Sequence, residues 1–114
     1  MTYKEVSQII NGIGYPYAYY QFPEGTAQEP PFICYFFSTD NDVKADNSNY
    51  QKIETLNIEL YTNEKDFEAE AAVESALSAN GLVWSRDETY IDSEHLYEEV
   101  YELDVLITEV SNNG

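Results

Sequence analysis

Two long stretches alternate in polarity with a period of two, and this limits the chain to a sheet-based fold. Between Tyr50 and Thr62, Leu56, Ile58 and Leu60 share one side of an extended strand, while Asn57, Glu59 and Tyr61 share the other. Between Tyr97 and Glu109, Tyr97, Tyr101, Leu103, Val105 and Ile107 oppose Glu98, Glu102, Asp104 and Thr108. Successive strand side chains point to opposite faces, so each stretch has one core face and one polar face.

Two other stretches repeat at helical spacing. Thr2 and Glu5 form a T-x-x-E capping box, and Val6, Ile9, Ile10 and Ile13 follow as one apolar stripe that ends at Gly12 and Gly14. Asn63 and Asp66 are candidate caps for a second helix, whose stripe is Ala69, Ala72, Val73, Ala76 and Leu77. Its early acids Glu64, Asp66, Glu68 and Glu70 suit the positive end of the helix dipole, and Asn80-Gly81 closes it.

The remaining segments are shorter. Tyr15 to Phe22 reads as an edge strand, because Pro16 cannot donate to an interior ladder. Pro23 to Pro31 is a loop. Phe32 to Ser38 is apolar on both alternating sides and reads as a central strand covered on both faces. Asp40 to Asn49 reads as a long polar hairpin loop that is mobile in the free subunit. Leu82 to Ile91 reads as a strand with Leu82, Trp84 and Tyr90 on one face, followed by a turn over Asp92 to Leu96. Ser111 to Gly114 is an expected disordered end. The expected fold is α+β in the order α-β-β-β-α-β-β. An antiparallel or mixed sheet of four to five strands would carry both helices on one face, in one domain spanning residues 1–114.

Charge narrows the function. The net charge is −17, from 22 acidic and 5 basic side chains. Nucleic-acid backbones are bound by clustered Lys and Arg, which this chain lacks, and the same sign opposes adsorption to an anionic membrane. Close self-assembly has to overcome self-repulsion. No apolar run is long enough to span a bilayer, and no secretory leader is expected from the first residues.

The sequence offers little for catalysis. Cys34 is the sole cysteine and lies in the apolar run Phe32 to Phe37, so a buried structural thiol is expected over a reactive one. His95, the sole histidine, reads as a turn residue. With 22 acids, chance carboxylate pairs are inevitable, so none marks a glycosidase-like site. Asp40, Asp42, Asp46 and Asn47 have hard-oxygen ligand character but lack the calcium-loop frame, so a solvated loop is expected there. No phosphate-binding glycine motif occurs. No enzyme activity and no cofactor are expected. Tyr15, Tyr17, Tyr19 and Tyr20 read either as strand packing or as an interface edge. Candidate interface residues are therefore these four with Asp40, Asp42, Asp46 and Asn47.

Several segments together carry a resemblance. They are Ala45-Asp46-Asn47 then Tyr50, and Ile58-Glu59-Leu60-Tyr61-Thr62 with Lys65-Asp66, Glu70 and Glu74. They also include Tyr90-Ile91 with Glu94, Tyr97-Glu98 and Tyr101, beside Tyr20-Gln21-Phe22-Pro23 and Pro31-Phe32-Ile33-Cys34-Tyr35. The set resembles the small tail-terminator or tail-completion proteins of long-tailed phages and prophages of Gram-positive bacteria, from Gln8 to Ile107. These are strand and helix signatures, not a catalytic fingerprint. The resemblance implies a ring, commonly a hexamer, that caps the tail tube, stops its growth and meets a head-completion protein. It implies a place in the virion tail, after assembly in the host cytoplasm. The competing expectation is an acidic inhibitor that mimics DNA and occupies a basic DNA-binding enzyme. An acidic small-molecule or metal-dependent enzyme ranks behind both.

Overall fold

The computed structural model describes residues 1–38 and 50–109; the 40–49 loop and the 111–114 tail lie outside the described residues. Helix α1 spans Tyr3–Ile13, strand β1 Tyr17–Tyr19, β2 Phe32–Ser38 and β3 Tyr50–Thr62. Helix α2 spans Phe67–Ala79, β4 Ser85–Ile91 and β5 Leu96–Glu109. The fold is α+β in the expected order, with one five-stranded mixed sheet, β1-β2-β3-β5-β4.

The two alternating stretches are the central pair of that sheet. β3 and β5 run antiparallel in register from Tyr50↔Glu109 to Thr62↔Tyr97, along the whole of β3. Leu56 faces Leu103 and Ile58 faces Tyr101 across the pair, and Ile33 and Tyr35 of β2 continue the same face opposite Leu60 and Ile58. Val6 and Ile10 of α1 and Ala69, Val73 and Leu77 of α2 close over this face and complete the core. Thr2 caps α1, with Glu5 N donating to Thr2 Oγ1 at 3.1 Å and Thr2 N donating to Glu5 Oε1 at 2.8 Å. Asp66, not Asn63, caps α2, accepting from Ala69 N at 2.9 Å.

β1 is an edge strand as read, and it pairs parallel to β2, which makes the sheet mixed, as the sequence reading allowed. Parallel neighbours need a crossover of a dozen or so residues, and residues 20–31 supply one as an irregular loop. Two expectations change. β2 lies between β1 and β3, but a second packed layer does not cover its other face. Cys34 is buried there, while Phe32 and Phe36 stay half-buried beside the crossover loop. The last change concerns the Leu82 to Ile91 segment. Its strand starts only at Ser85; Leu82 and Trp84 precede it and pack against the core, and Tyr90 is exposed beside Tyr97. The apolar residues of this segment therefore do not form one strand face, because β4 is an outer edge whose side chains are exposed up to Ile91.

The asymmetry between the two faces sets the cost of truncation. Ile58, 0% exposed on the helix face, should lose about 2–4 kcal/mol as Ile58→Ala. Leu106, 49% exposed on the opposite face, should change by about 0.5 kcal/mol or less as Leu106→Ala. Urea unfolding of the two variants, read by circular dichroism, checks the contrast.

Candidate functional site

Two arrangements of side chains stand out, one on each face of the sheet. The first is a network of charges on the helix face beside β4. Register places Glu99 opposite Leu60 and Glu88, and Arg86 opposite Tyr101, so all point toward α2. Lys65, just before α2, puts its ammonium 2.7 Å from Glu70 Oε2 and 3.7 Å from Glu99 Oε2, and also pairs with Glu88. Arg86 pairs with Glu70, lies 3.5 Å from Glu74 Oε2, and its Nε lies 3.6 Å from Glu99 Oε1. Tyr101 donates its hydroxyl to Glu74 Oε2 at 2.9 Å.

Glu99 is the anomaly of this network. It is 1% exposed, and neither carboxylate oxygen has a hydrogen-bond partner among the described residues. Its two cations stand beyond hydrogen-bond length. Burial, with the neighbouring Glu88 and Glu70 carboxylates, pushes its carboxyl up to about 7. Lys65 holds Glu88 the other way, below the usual carboxylate range. Oxygens of Glu70, Glu88 and Glu99 lie within 4.8 Å of one another, a spacing that could hold a metal ion. The Lys65 ammonium already contacts all three and does the work of a cation there. The chemistry of this cluster is therefore a tethered electrostatic lock between α2, β4 and β5.

The second arrangement is a groove of about 750 Å³ on the open face. Tyr20 and Phe22 of the crossover loop form one wall, Phe32, Cys34 and Phe36 of β2 and Glu59 and Tyr61 of β3 form the floor, and Glu94 stands at the far rim. Tyr20 sits in the left-handed region with φ 69°, and its N–H bonds Tyr35 O at 2.7 Å. A non-glycine residue rarely adopts this conformation, and here it brings the ring against Phe36 at 5.7 Å. Phe32 stacks on Tyr61 at 5.0 Å, and Phe22 meets Phe32 edge-on at 5.5 Å.

Polar groups sit among these rings. The Tyr61 hydroxyl lies 2.8 Å from Glu98 Oε2 and 3.0 Å from Glu59 Oε1. Its single proton serves one carboxylate at a time. Burial raises Glu59 above the usual carboxylate range, and burial beside Glu98 and Glu59 raises the Tyr61 phenol. Burial and the Glu59 charge push the Cys34 thiol up to about 11, so it stays protonated and unreactive.

The tyrosines singled out from the sequence divide between the two faces. Tyr15 and Tyr17 pack against the core, Tyr19 is 53% exposed at the β1 edge, and Tyr20 is 62% exposed at the groove. Asp40, Asp42, Asp46 and Asn47 lie outside the described residues. His95 is in the exposed turn between β4 and β5, as read, with Nδ1 3.4 Å from the Tyr90 hydroxyl. Sequence reasoning missed Glu99 and Glu54, although both were detectable. Glu99 stands in the same alternation as Tyr97, Tyr101 and Leu103, and Glu54 in that of Leu56 and Ile58. Glu54 is buried on the core face and accepts from the Tyr3 hydroxyl.

No protein-family model matches the chain, and no curated protein matches it.

The state of Glu99 makes stability depend on pH. Its proton is held to about 7 in the folded chain against 4.5 for an ordinary glutamate, so between these values the folded state binds more protons than the unfolded one. Stability should therefore be greatest below 4.5 as far as this group is concerned, and should fall as pH rises through 7. Glu99→Gln, which keeps the shape without the charge, should flatten that fall and raise the melting temperature at pH 8. Thermal unfolding of both proteins from pH 4.5 to 8 checks it; an unchanged slope would mean that Glu99 is ionised throughout.

Proposed function

We propose that this protein is a structural component of a phage or prophage tail. In this reading it forms a ring that caps the tail tube, ends tail growth and mediates head-tail joining, without making or breaking bonds. The observation that carries the reading is the pair of open, dissimilar sheet edges. β1 ends the sheet on one side with Tyr19 exposed, and β4 ends it on the other with an exposed row from Ser85 to Tyr90. The two edges do not match themselves but can face each other in neighbouring copies. Such head-to-tail contacts close into rings when the rotation allows, and commonly a hexamer is what the resemblance implies. The same resemblance spans most of the chain, and supplies the partners: tail-tube protein on one side and a head-completion protein on the other. An acidic lumen suits a ring that DNA passes through, because like charge prevents sticking.

A second reading has an observation of its own. Glu59, Glu98, Glu102 and Asp104 share the open face with Asp87 of β4, by their cross-strand register. A row of carboxylates on one small sheet also suits a mimic of DNA that blocks a basic enzyme. A mimic stays small and displaces DNA from its target, whereas a ring component self-associates, alone or on tube protein.

Light scattering at two salt concentrations tests the ring. With a net charge of −17, neighbouring copies repel, and the Debye length falls from about 10 Å at 0.1 M to about 3 Å at 1 M. Association, with or without tube protein, should strengthen as salt rises. A protein that stays monomeric with tube protein at every salt concentration, or an oligomer that dissociates as salt rises, contradicts the account.

A further inference from the structure

The open-face groove combines two features that neither core packing nor surface solvation requires. Its walls are aromatic faces, and its floor and rim carry carboxylates to which the described residues bring no cation. Among the described residues every ion pair uses Lys65 or Arg86, and both point to the opposite face. None reaches Glu59, Glu94 or Glu98. Glu59 and Glu98 compete for one phenolic proton from Tyr61. A carboxylate drawn partly out of water beside a second carboxylate is stabilised most by a positive group brought to it.

We infer that this groove receives an arginine side chain from an extended basic segment of a partner protein. Four physical points select that occupant. Guanidinium is planar and stacks on aromatic faces, and the Phe32–Tyr61 stack offers such a face beside Glu59. Its fork of N–H donors matches a carboxylate edge, which a lysine ammonium does not. The groove holds about 750 Å³, more than one side chain fills, so flanking residues of an extended segment also fit. The net charge of −17 steers a basic segment in and repels an anionic one. A second copy of this chain is a poor source, since it has only 5 Lys and Arg in total. The left-handed backbone at Tyr20 is part of the same device, because it sets the ring that forms one wall. The inference does not depend on ring formation; a basic partner would engage the groove of a monomer or of a ring subunit.

The test is calorimetric titration of the whole protein with a hexa-arginine peptide and, separately, a hexa-lysine peptide, in 0.15 M salt. The arginine peptide should bind several-fold more tightly, because only the planar guanidinium both stacks on the aromatic walls and bonds a carboxylate with two parallel N–H groups. Glu59→Gln should weaken it roughly tenfold, the equivalent of about 1.4 kcal/mol. Tyr20→Ala, at an exposed wall position where folding is not at stake, should weaken it several-fold as well. Asp104→Asn removes one charge from the same face away from the groove, and should change affinity less than about twofold. Equal affinity for the two peptides overturns the inference, since it leaves the aromatic walls without a role. Equal losses in Glu59→Gln and Asp104→Asn overturn it too, since they leave only diffuse attraction to an acidic protein. So does the absence of binding to either peptide.

Discussion

The antiparallel pairing of β3 with β5 is the interaction on which the other elements depend. It runs the length of β3, and its alternation sorts side chains onto two faces before any helix docks. One face, with Leu56, Ile58, Tyr101, Leu103 and Val105, is apolar enough to bind both helices. The other keeps Glu102 and Asp104 exposed and Glu59 and Glu98 half-buried, with Asn57 buried among its polar residues. β2 is added to the outer side of β3 and β4 to the outer side of β5, so neither would have a template without the central pair. A one-residue slip would exchange the faces and bury the acids, which makes this register strongly specified.

High acidity is handled differently on the two faces. On the helix face, the acids beside β4, Glu70, Glu74, Glu88 and Glu99, meet Lys65 and Arg86, two of the 5 basic residues in the chain, while Glu54 accepts from the Tyr3 hydroxyl instead. These cations sit where α2, β4 and β5 converge, so neutralising Glu70 also fixes α2 to the sheet edge. Breaking such a pair costs more than the pair contributes, because the remaining charge is left without water. Glu99 is only partly served, and it keeps its proton to about 7 instead. On the open face no cation is supplied by the described residues. The acids there stay hydrated, or, like Glu59, are drawn among aromatic rings. One face is therefore sealed from within, and the other is left with the chemistry that an external partner can complete.

Much of this was readable from residue order. The period-two stretches located β3 and β5, the capping box located α1, and the stripe from Ala69 to Leu77 located α2. Pro16 marked β1 as an edge. Parallel pairing of β1 with β2 was hidden, because direction depends on where an irregular loop of residues 20–31 runs, and turn-rich composition does not encode a path. The course of β4 was misread for a related reason: Leu82 and Trp84 are apolar because they approach the core ahead of the strand, not because the strand has an apolar face. The groove was invisible, since its lining comes from four separated segments. The charged lock was half-visible. Glu99 and Glu54 break the apolar alternation of their strands, and such a break in a core row is the signal that a buried charge needs an accounting.

The central claim is that the open face meets partners while the helix face is closed upon itself. Hydroxyl-radical footprinting with mass spectrometry tests it most directly, comparing the protein alone with the protein mixed with tail-tube protein, the partner we propose. The account predicts that Tyr20, Phe22, Phe36 and Tyr61 lose reactivity on assembly, while Phe67, exposed on α2, stays as reactive as before. Protection of Phe67 with unchanged reactivity at the four groove residues would contradict it, and would make the helix side the surface that assembles.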